Sequence, residues 1–447
     1  MTRSRRLVLG LALALVLGLV AAFGVPRLSD DPVVETAADA QVITPGAVSA
    51  VGGPPADTLE GLVEQLRTRL EVVPGDHVAW ATLGLAYVQQ ARVVADPSLY
   101  PNAEGALQRS LEESPDDNFL AHAGLSALAA GRHEFVEARR QARLGLEIND
   151  FSAILWGALS DAQLQLGEYD AATRSVDRML ELAPAQTSSL SRASYLAELR
   201  GDRVLARSLM EQAFDAAGTP TDRAFALTVL GDLRFGSGDP GGALELYNQA
   251  RDLAPSDATA LAGKARAEAA LGQIETALDH YRELVEQTPD PSHVVAYAEL
   301  LESLGRIEEA EEQYAVVDAI QTLFEANGVE PDAAPVLFLA DHGEPERALA
   351  AAEEAVADRP FLAMHDAHAW ALHAVGRHDE ALAASQRALE LGTPDASFLY
   401  HSGRIRIALG DLDGGRADLE RALEINPFFD PLDAPAAQAA LAGLGAP

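Results

Sequence analysis

The stretch that decides the fold is Trp156–Pro184, which reads WGALSDAQLQLGEYDAATRSVDRMLELAP. Its apolar residues recur at the three- and four-residue spacing of an amphipathic helix on both sides of Gly167. A glycine between two such runs lets the backbone reverse, and Pro184 ends the second run because proline lacks the amide hydrogen that a helix interior needs. Ala172 is small enough for two helices to approach closely. The stretch therefore predicts a hairpin of two antiparallel helices.

The same arrangement recurs along the chain with a period of about 34 residues. Equivalent positions hold the same small, apolar or helix-ending residues in further copies: Trp80, Leu83, Tyr87 and Pro115; Leu190, Gly201, Ala206 and Ala213; Leu227, Gly238, Ala243, Tyr247 and Pro255; Leu261, Gly272, Ala277, Tyr281 and Pro289; Leu399, Gly410, Leu419, Ala422 and Pro427. One hairpin cannot bury its own apolar face, so successive hairpins are expected to stack. Three copies are longer than the period: one has extra residues around 95–101, one has about two extra before Ala138, and one has a second helix that runs from about 306 to 327.

This pattern resembles the tetratricopeptide repeat, whose consensus is W-x2-L-G-x2-Y…A-x3-F…P. The resemblance covers residues 58–432 and implies an all-α fold, a right-handed superhelical solenoid of about ten repeats with roughly 22 helices and no strands. Residues 58–74 are interpreted as a lone second helix, and residues 433–447 as a C-terminal capping segment. First helices are expected to line the concave side of the solenoid and second helices the convex side.

The amino terminus carries the pattern of an export signal. Arg3, Arg5 and Arg6 precede an unbroken apolar stretch of 19 residues, from Leu7 to Val25, close to the length of about 20 residues that crosses a bilayer. Positive charge ahead of such a stretch stays in the cytoplasm. Residues 1–26 are therefore predicted to be a signal anchor or a cleaved signal peptide, and residues 27–57 a flexible linker. The repeats are expected outside the cytoplasmic membrane, held by a single pass or secreted.

Two narrower resemblances bear on location. Residues 62–84 resemble membrane-anchored repeat proteins of cytochrome c assembly. The array as a whole resembles an actinobacterial-type family of exported or membrane-anchored repeat proteins without settled activity, on segments 340–343, 366–372 and 426–429. This second resemblance implies a place in the cell envelope rather than a mechanism.

Charge and cysteine content exclude several kinds of function. The chain has 68 acidic and 33 basic residues, a formal net charge of −35, and no cysteine. Nucleic acid is not expected as a partner, because phosphate binding needs a basic surface. Disulfides, thiolate metal sites and cysteine nucleophiles are excluded. A protein partner is expected to be basic or neutral.

No pattern of catalytic residues stands out, and the chain is expected to be neither an enzyme nor a binder of cofactors. Gly236–Gly241 formally matches G-x-G-x-x-G, but Gly238 is already required by the repeat, so the segment is interpreted as a turn. His365 and His368 share a helix face, whereas His373 is rotated about 140° away. Packed or solvated histidines are therefore favoured over a metal site.

What remains is a groove for a protein or peptide. Projecting the first helices places a mixed aromatic and polar set on the concave face: Asp161, Tyr195, Phe225, Asp232, Phe235, Arg266, Glu299, Trp370, His373, Tyr400 and Arg404. These residues are the predicted binding surface of a non-enzymatic scaffold. Two alternatives stay open: a cytochrome c assembly factor that holds unfolded apoprotein, and an accessory domain that handles cell-wall glycan or metal. Lys264 is the only lysine, so a lysine-based grip on acidic carboxyl-terminal tails is disfavoured.

Overall fold

The computed structural model describes residues 59–329 and 332–445, and in these residues it contains 22 α-helices and no strand. The helices are α1 Leu59–Val72, α2 His77–Val93, α3 Tyr100–Glu113, α4 Phe119–Gly131, α5 Phe135–Ile148, α6 Ala153–Gln165, α7 Tyr169–Leu182, α8 Thr187–Leu199, α9 Arg203–Ala216, α10 Pro220–Phe235, α11 Pro240–Leu253, α12 Ala258–Ala270, α13 Ile274–Gln287, α14 Pro291–Ser303, α15 Ile307–Ala326, α16 Ala333–Asp341, α17 Pro345–Asp358, α18 Leu362–Ala374, α19 His378–Ala388, α20 Ala396–Ala408, α21 Leu412–Ile425 and α22 Asp433–Gly443. The prediction of an all-α solenoid is confirmed.

Helices α2 to α21 form ten antiparallel hairpins, repeats 1 to 10, and each hairpin packs on the next. Local sequence sets the ends of many helices. Asp257, for example, accepts hydrogen bonds from the amides of Thr259 and Ala260 at the start of α12, which satisfies donors that have no partner inside the helix. The turn that follows α12 uses Gly272 at φ +76°, a left-handed conformation that costs other residues energy.

First and second helices of a repeat differ in burial. In α6, ten of the thirteen residues are buried, whereas α7 buries five of its fourteen. A first helix is therefore packed on nearly all sides, whereas a second helix has one polar face exposed to solvent. Small residues allow the close approach within a hairpin: Ala243 and Ala277 have no exposed surface. Glycine at position 231 serves the same purpose, because a Cβ there would lie 2.6 Å from the ring of Tyr247.

The superhelix curves tightly enough to contact itself. The Leu362 amide donates to the Tyr169 hydroxyl oxygen at 3.0 Å, and the Thr393 hydroxyl donates to the Leu199 carbonyl oxygen at 2.6 Å. These bonds join the helix-to-helix turns of repeats 3 and 4 to the loops that follow repeats 8 and 9. A third contact brings Gly238, in repeat 5, close to the end of α21. Each repeat in this set thus meets the fifth repeat after it, along a line that we call the seam.

Glycine makes the seam possible where the two turns approach most closely. A Cβ on Gly167 would lie 2.8 Å from the carbonyl oxygen of Pro360, and the residue sits at φ +68°. At the next contact along the seam, between repeat 4 and the loop after repeat 9, Arg203 donates to the carbonyl oxygen of Pro394 at 2.6 Å. The seam is therefore built from backbone groups and from side chains that satisfy them.

Among the described residues, no helix is both long enough and apolar enough to cross a bilayer. The predicted signal anchor or signal peptide at residues 1–26 and the predicted linker at residues 27–57 lie outside the described residues.

Candidate functional site

The eleven residues predicted for the groove all lie on first helices, and the structure divides them by burial. Six are buried: Asp161, Tyr195, Phe235, Glu299, Trp370 and Tyr400. Five remain partly exposed: Phe225, Asp232, Arg266, His373 and Arg404. Adjacent first helices cover most of these buried residues, and Tyr195 also packs with Phe361 and Phe398 across the seam. A binding role for these residues stays a prediction, and the partly exposed five offer a partner the most surface.

Asp161 and Arg192 form a buried ion pair on the inner face. Nε and Nη2 of Arg192 donate to the two carboxylate oxygens of Asp161 at 2.9 and 2.8 Å, across the first helices of repeats 3 and 4. Nη1 of Arg192 also donates to the Ser188 carbonyl oxygen at 2.9 Å. Desolvation of two charges is costly, so such a pair depends on this bidentate geometry. Its role here is to fix the orientation of neighbouring repeats.

Repeats 5 and 6 are joined by a network around Asp232. Its carboxylate accepts from the Tyr247 hydroxyl at 2.7 Å and from Arg266 Nη2 at 2.9 Å. The guanidinium of Arg266 also lies over the ring of Phe235, 4.3 Å from the ring centroid, within the range of a cation–π contact. Burial raises the pKa of Asp232, and Arg266 opposes that shift.

A cavity of about 130 Å³ lies on the inner face between repeats 4–6 and repeats 8–10. Charged side chains dominate its polar lining: Glu198, Arg203, Asp232, Arg266, Asp332, Asp366 and Asp395. Burial, followed by the nearby charge of Asp232, raises the pKa of Glu198 to about 8. Much of the Glu198 population is therefore neutral at pH 7, even though the residue faces a cavity.

The inner face of repeats 8 to 10 is aromatic. The Trp370 indole donates to an Asp341 carboxylate oxygen at 2.8 Å, and its ring stacks on His373 and His401 with centroids 4.9 and 4.4 Å away. Arg404 donates to the Tyr400 hydroxyl oxygen at 3.0 Å. These side chains hold adjacent first helices together, which accounts for their burial.

Glu299 is 3% exposed and lies in a group of acidic side chains on repeats 7 and 8 and the capping segment. Burial, together with the charges of Asp430, Asp433 and Asp341, raises its pKa well above the usual range. The folded protein therefore favours the neutral form of Glu299 more than water favours that of a solvated glutamate.

The late histidines do not gather into a metal centre. His401 Nδ1 lies 2.8 Å from Asp366 Oδ2, and both side chains are buried between repeats 9 and 10. Burial lowers the pKa of His365 to about 4. In the part of the chain that the structure describes, no group of three or more histidine, aspartate or glutamate side chains could hold a metal ion. Gly236–Asp239 form the turn between α10 and α11, Pro240 and Gly241 are the first residues of α11, and a helix rather than a strand precedes the turn.

Sequence reasoning missed three inner-face residues: Arg192, Glu198 and Asp366. Arg192 and Asp161 are separated by slightly less than one repeat period, so they lie on adjacent first helices about one helical turn out of register. Opposite charges at that spacing could have indicated the pair. Glu198 and Asp366 line the cavity only because the seam brings repeats 8 to 10 against repeats 4 to 6, and the repeat pattern carries no signal for that contact.

Comparison with known proteins supports the repeat assignment. The tetratricopeptide repeat family model matches residues 228–292 and 367–428. No curated protein matches the chain. Among solved structures, a tetratricopeptide repeat protein from Parabacteroides merdae is similar at 14% identity and TM-score 0.40, over 54% of this chain and 97% of that one.

Two further solved structures are also similar. One is a chain of the APC/C hetero-tetramer Cut9–Hcn1, at 15% identity and TM-score 0.43, over 87% of this chain and 82% of that one. The other is pilF of Pseudomonas aeruginosa, at 17% identity and TM-score 0.36, over 48% of this chain and 94% of that one. Residues 228–292 and 367–428 are thus identified as tetratricopeptide repeats. Repeats of this family imply a scaffold for protein–protein contacts and are generally non-enzymatic.

Proposed function

We propose that this protein is a non-enzymatic scaffold on the outer face of the cytoplasmic membrane, where it binds a basic or neutral protein partner. The observation that carries the proposal is the array of ten hairpins, because stacked repeats of this family present extended surfaces to partner proteins. The arginines and the 19-residue apolar stretch at the amino terminus support the location. The net charge of −35 favours a partner of opposite or no charge.

The partner contact is proposed on the inner-face residues that keep partial exposure. Phe225 is the apolar member of this group, and it lies on α10 at the border of the cluster around Met210 and Leu230. A large ring at the edge of a packed surface can bury further area against a partner without disturbing the core. Aromatic residues of this kind often dominate the free energy of an interface.

Capture from an envelope extract tests the partner. With the full chain as bait, we expect to capture one folded protein at one-to-one stoichiometry. It should elute as salt rises from about 0.05 to about 0.5 M, because the screening length of charge–charge attraction shortens as salt rises. Phe225→Ala should weaken the capture. The matched control Phe151→Ala, at a ring that is 71% exposed outside the inner face, should not. Equal effects of the two variants, or enrichment of an acidic protein that resists the high salt, would contradict the proposal.

A fusion tests the location separately. A reporter enzyme that is active only in the cytoplasm, joined after residue 57, should be inactive in cells. Full activity of that fusion would overturn the proposed topology while leaving the partner experiment interpretable.

A further inference from the structure

Two repeats are longer than the others, and the structure brings their extra residues together. In repeat 1, α2 begins at His77 and the next first helix, α4, begins only at Phe119. In repeat 7, α14 begins at Pro291 and the next first helix, α16, begins only at Ala333. Both intervals exceed the one between the starts of α6 and α8, which matches the usual repeat period of about 34 residues. Insertions in repeat proteins map to loops that often form a binding face, so a place where two insertions meet is a candidate site.

The meeting place is a cavity of about 210 Å³ between repeats 1 and 2 and repeats 7 and 8. The insertion of repeat 1 contributes Ala95, Pro97 and Tyr100 to its wall. The long end of α15 and the residues after it contribute Phe324 and Val329. The wall is completed by aliphatic side chains of α16 and is mostly apolar. This cavity adjoins the charged one between repeats 4–6 and 8–10, and the two share Asp332 and Ala334 in their walls.

Arg92 is one of several charged residues in this lining, together with Asp290, Glu325, Asp332 and Arg347. It is partly buried at the end of α2, and among the described residues its side chain makes no hydrogen bond or ion pair. Tyr100 and then Asp161 act on it electrostatically, opposed by Arg192, and the Asp161 carboxylate is itself held by two nitrogens of Arg192. Burial lowers the pKa of Arg92 to about 10, so the guanidinium remains charged at neutral pH. A charged donor beside a cavity with no acceptor of its own is favourable only if a ligand or water supplies one.

A second donor beside the same cavity is unused. Gln321 lines the wall from α15, and its Nε2 is buried with no hydrogen-bond partner in the part of the chain that the structure describes. The Tyr100 hydroxyl donates to the Gly131 carbonyl oxygen at 3.1 Å, which leaves its oxygen as an acceptor. Arg92 and Gln321 thus come from the two long repeats, border one cavity, and carry side-chain N–H donors that no described protein group accepts.

The other charged groups on the wall are engaged or lie at the rim. Asp290 accepts from the amide and the hydroxyl of Ser292 at the start of α14. Asp332 accepts from the Ala333 amide and lies 3.6 Å from Arg359. Arg347 is exposed and paired with Glu344, and Glu325 is exposed. Among the described charged side chains on this wall that are at least partly buried, Arg92 is the one without a hydrogen bond or ion pair, and its charge is positive.

We propose that this cavity binds a small organic carboxylate with a compact apolar body. The carboxylate would accept from Arg92, and the apolar body would fill the space between Tyr100, Phe324 and Val329. Charge-assisted bonds from arginine to a carboxylate are among the stronger ones in proteins. A cavity of about 150 Å³ holds a benzene molecule, so the larger volume here suits a ring with a short acid side chain.

Calorimetry on the full chain with 3-phenylpropanoate tests the proposal, with 3-phenylpropan-1-ol as the uncharged control. We expect the acid to bind at least tenfold more tightly than the alcohol, a difference of about 1.4 kcal/mol. Arg92→Gln should remove that preference while leaving the weak binding of the alcohol. Arg347→Gln, at the exposed arginine on the same rim, should change neither affinity by more than about twofold, since a rim charge is well solvated.

A second variant, which fills the cavity, separates a loss of binding from a loss of folding. Ala351→Phe places a ring in the cavity from α17, and it should abolish binding of acid and alcohol alike while the helical circular dichroism is unchanged. Equal affinity for acid and alcohol in the unmodified chain, or an acid preference that survives Arg92→Gln, would overturn the proposal. So would tight binding of a peptide through its terminal carboxylate with no binding of 3-phenylpropanoate. None of these results bears on the protein partner proposed above.

Discussion

Replacing Gly167 by alanine should destabilise the protein more than the same change at Gly272. The difference between the two losses in free energy of unfolding is the contribution of the seam contact at Gly167. Both glycines lie in helix-to-helix turns with left-handed backbone, at φ +68° and +76°. That conformation costs an alanine about 1–2 kcal/mol, and the cost is shared by the two variants. A Cβ on Gly272 meets no atom within 4 Å, whereas a Cβ on Gly167 would lie 2.8 Å from the Pro360 carbonyl oxygen.

To relieve that contact, the loop at Pro360 must move away from repeat 3. The movement breaks the bond from the Leu362 amide to the Tyr169 hydroxyl oxygen, now 3.0 Å long and buried. A buried donor that loses its partner costs about 1–3 kcal/mol. We therefore expect the free energy of unfolding to fall by about 1–3 kcal/mol more in Gly167→Ala than in Gly272→Ala. Urea denaturation followed by circular dichroism measures it, and equal losses in the two variants would refute the closed superhelix.

Three further predictions concern packing, pH and charge. Ala277→Leu adds three carbons to a contact with no exposed surface and should cost about 1–3 kcal/mol; unchanged hydrogen exchange over residues 258–322 would show that the register of repeat 6 is wrong. Because burial raises the pKa of Glu198 from 4.5 to about 8, the folded state holds a proton that the unfolded state releases. Stability should therefore fall as pH rises from about 4.5 to about 8, and denaturation of Glu198→Gln across that range should show a shallower fall. Asp161→Ala leaves Arg192 buried without its partner and should cost about 3–5 kcal/mol, whereas the double change Asp161→Leu with Arg192→Met should cost less; equal losses would show that the pair is not coupled.

The hairpins could be predicted from the sequence because they are local. The glycine at 167, the alanine at 172 and the proline at 184 each act within one repeat, and the same positions recur in later copies. Whether an inner-face residue is exposed or buried depends on neighbouring repeats as well as on its own. Phe235 and Tyr400 project toward the concave side in a single repeat, but neighbouring first helices and the aromatic residues beside them cover both rings.

The closure of the superhelix could not be predicted in this way. It depends on the small rotation between successive repeats, summed over five of them, and no residue pattern of one repeat records that sum. Tyr169 occupies a consensus position of the repeat, yet its hydroxyl accepts from the amide of Leu362, where the loop after repeat 8 enters α18. The meeting of the two long repeats at one cavity has the same origin. Their lengths were visible in the sequence, but their proximity follows from the curvature.

The closed superhelix is tested most directly by amide hydrogen exchange at Leu362. This residue is the first of α18, where amides have no partner inside the helix, and its amide donates across the seam to the Tyr169 hydroxyl. Slow exchange at Leu362 that becomes fast in Tyr169→Phe, with the amide of Ala371 within α18 unaffected, is the predicted result. Exchange at Leu362 as fast as in an unstructured peptide, already in the unmodified protein, would contradict the account.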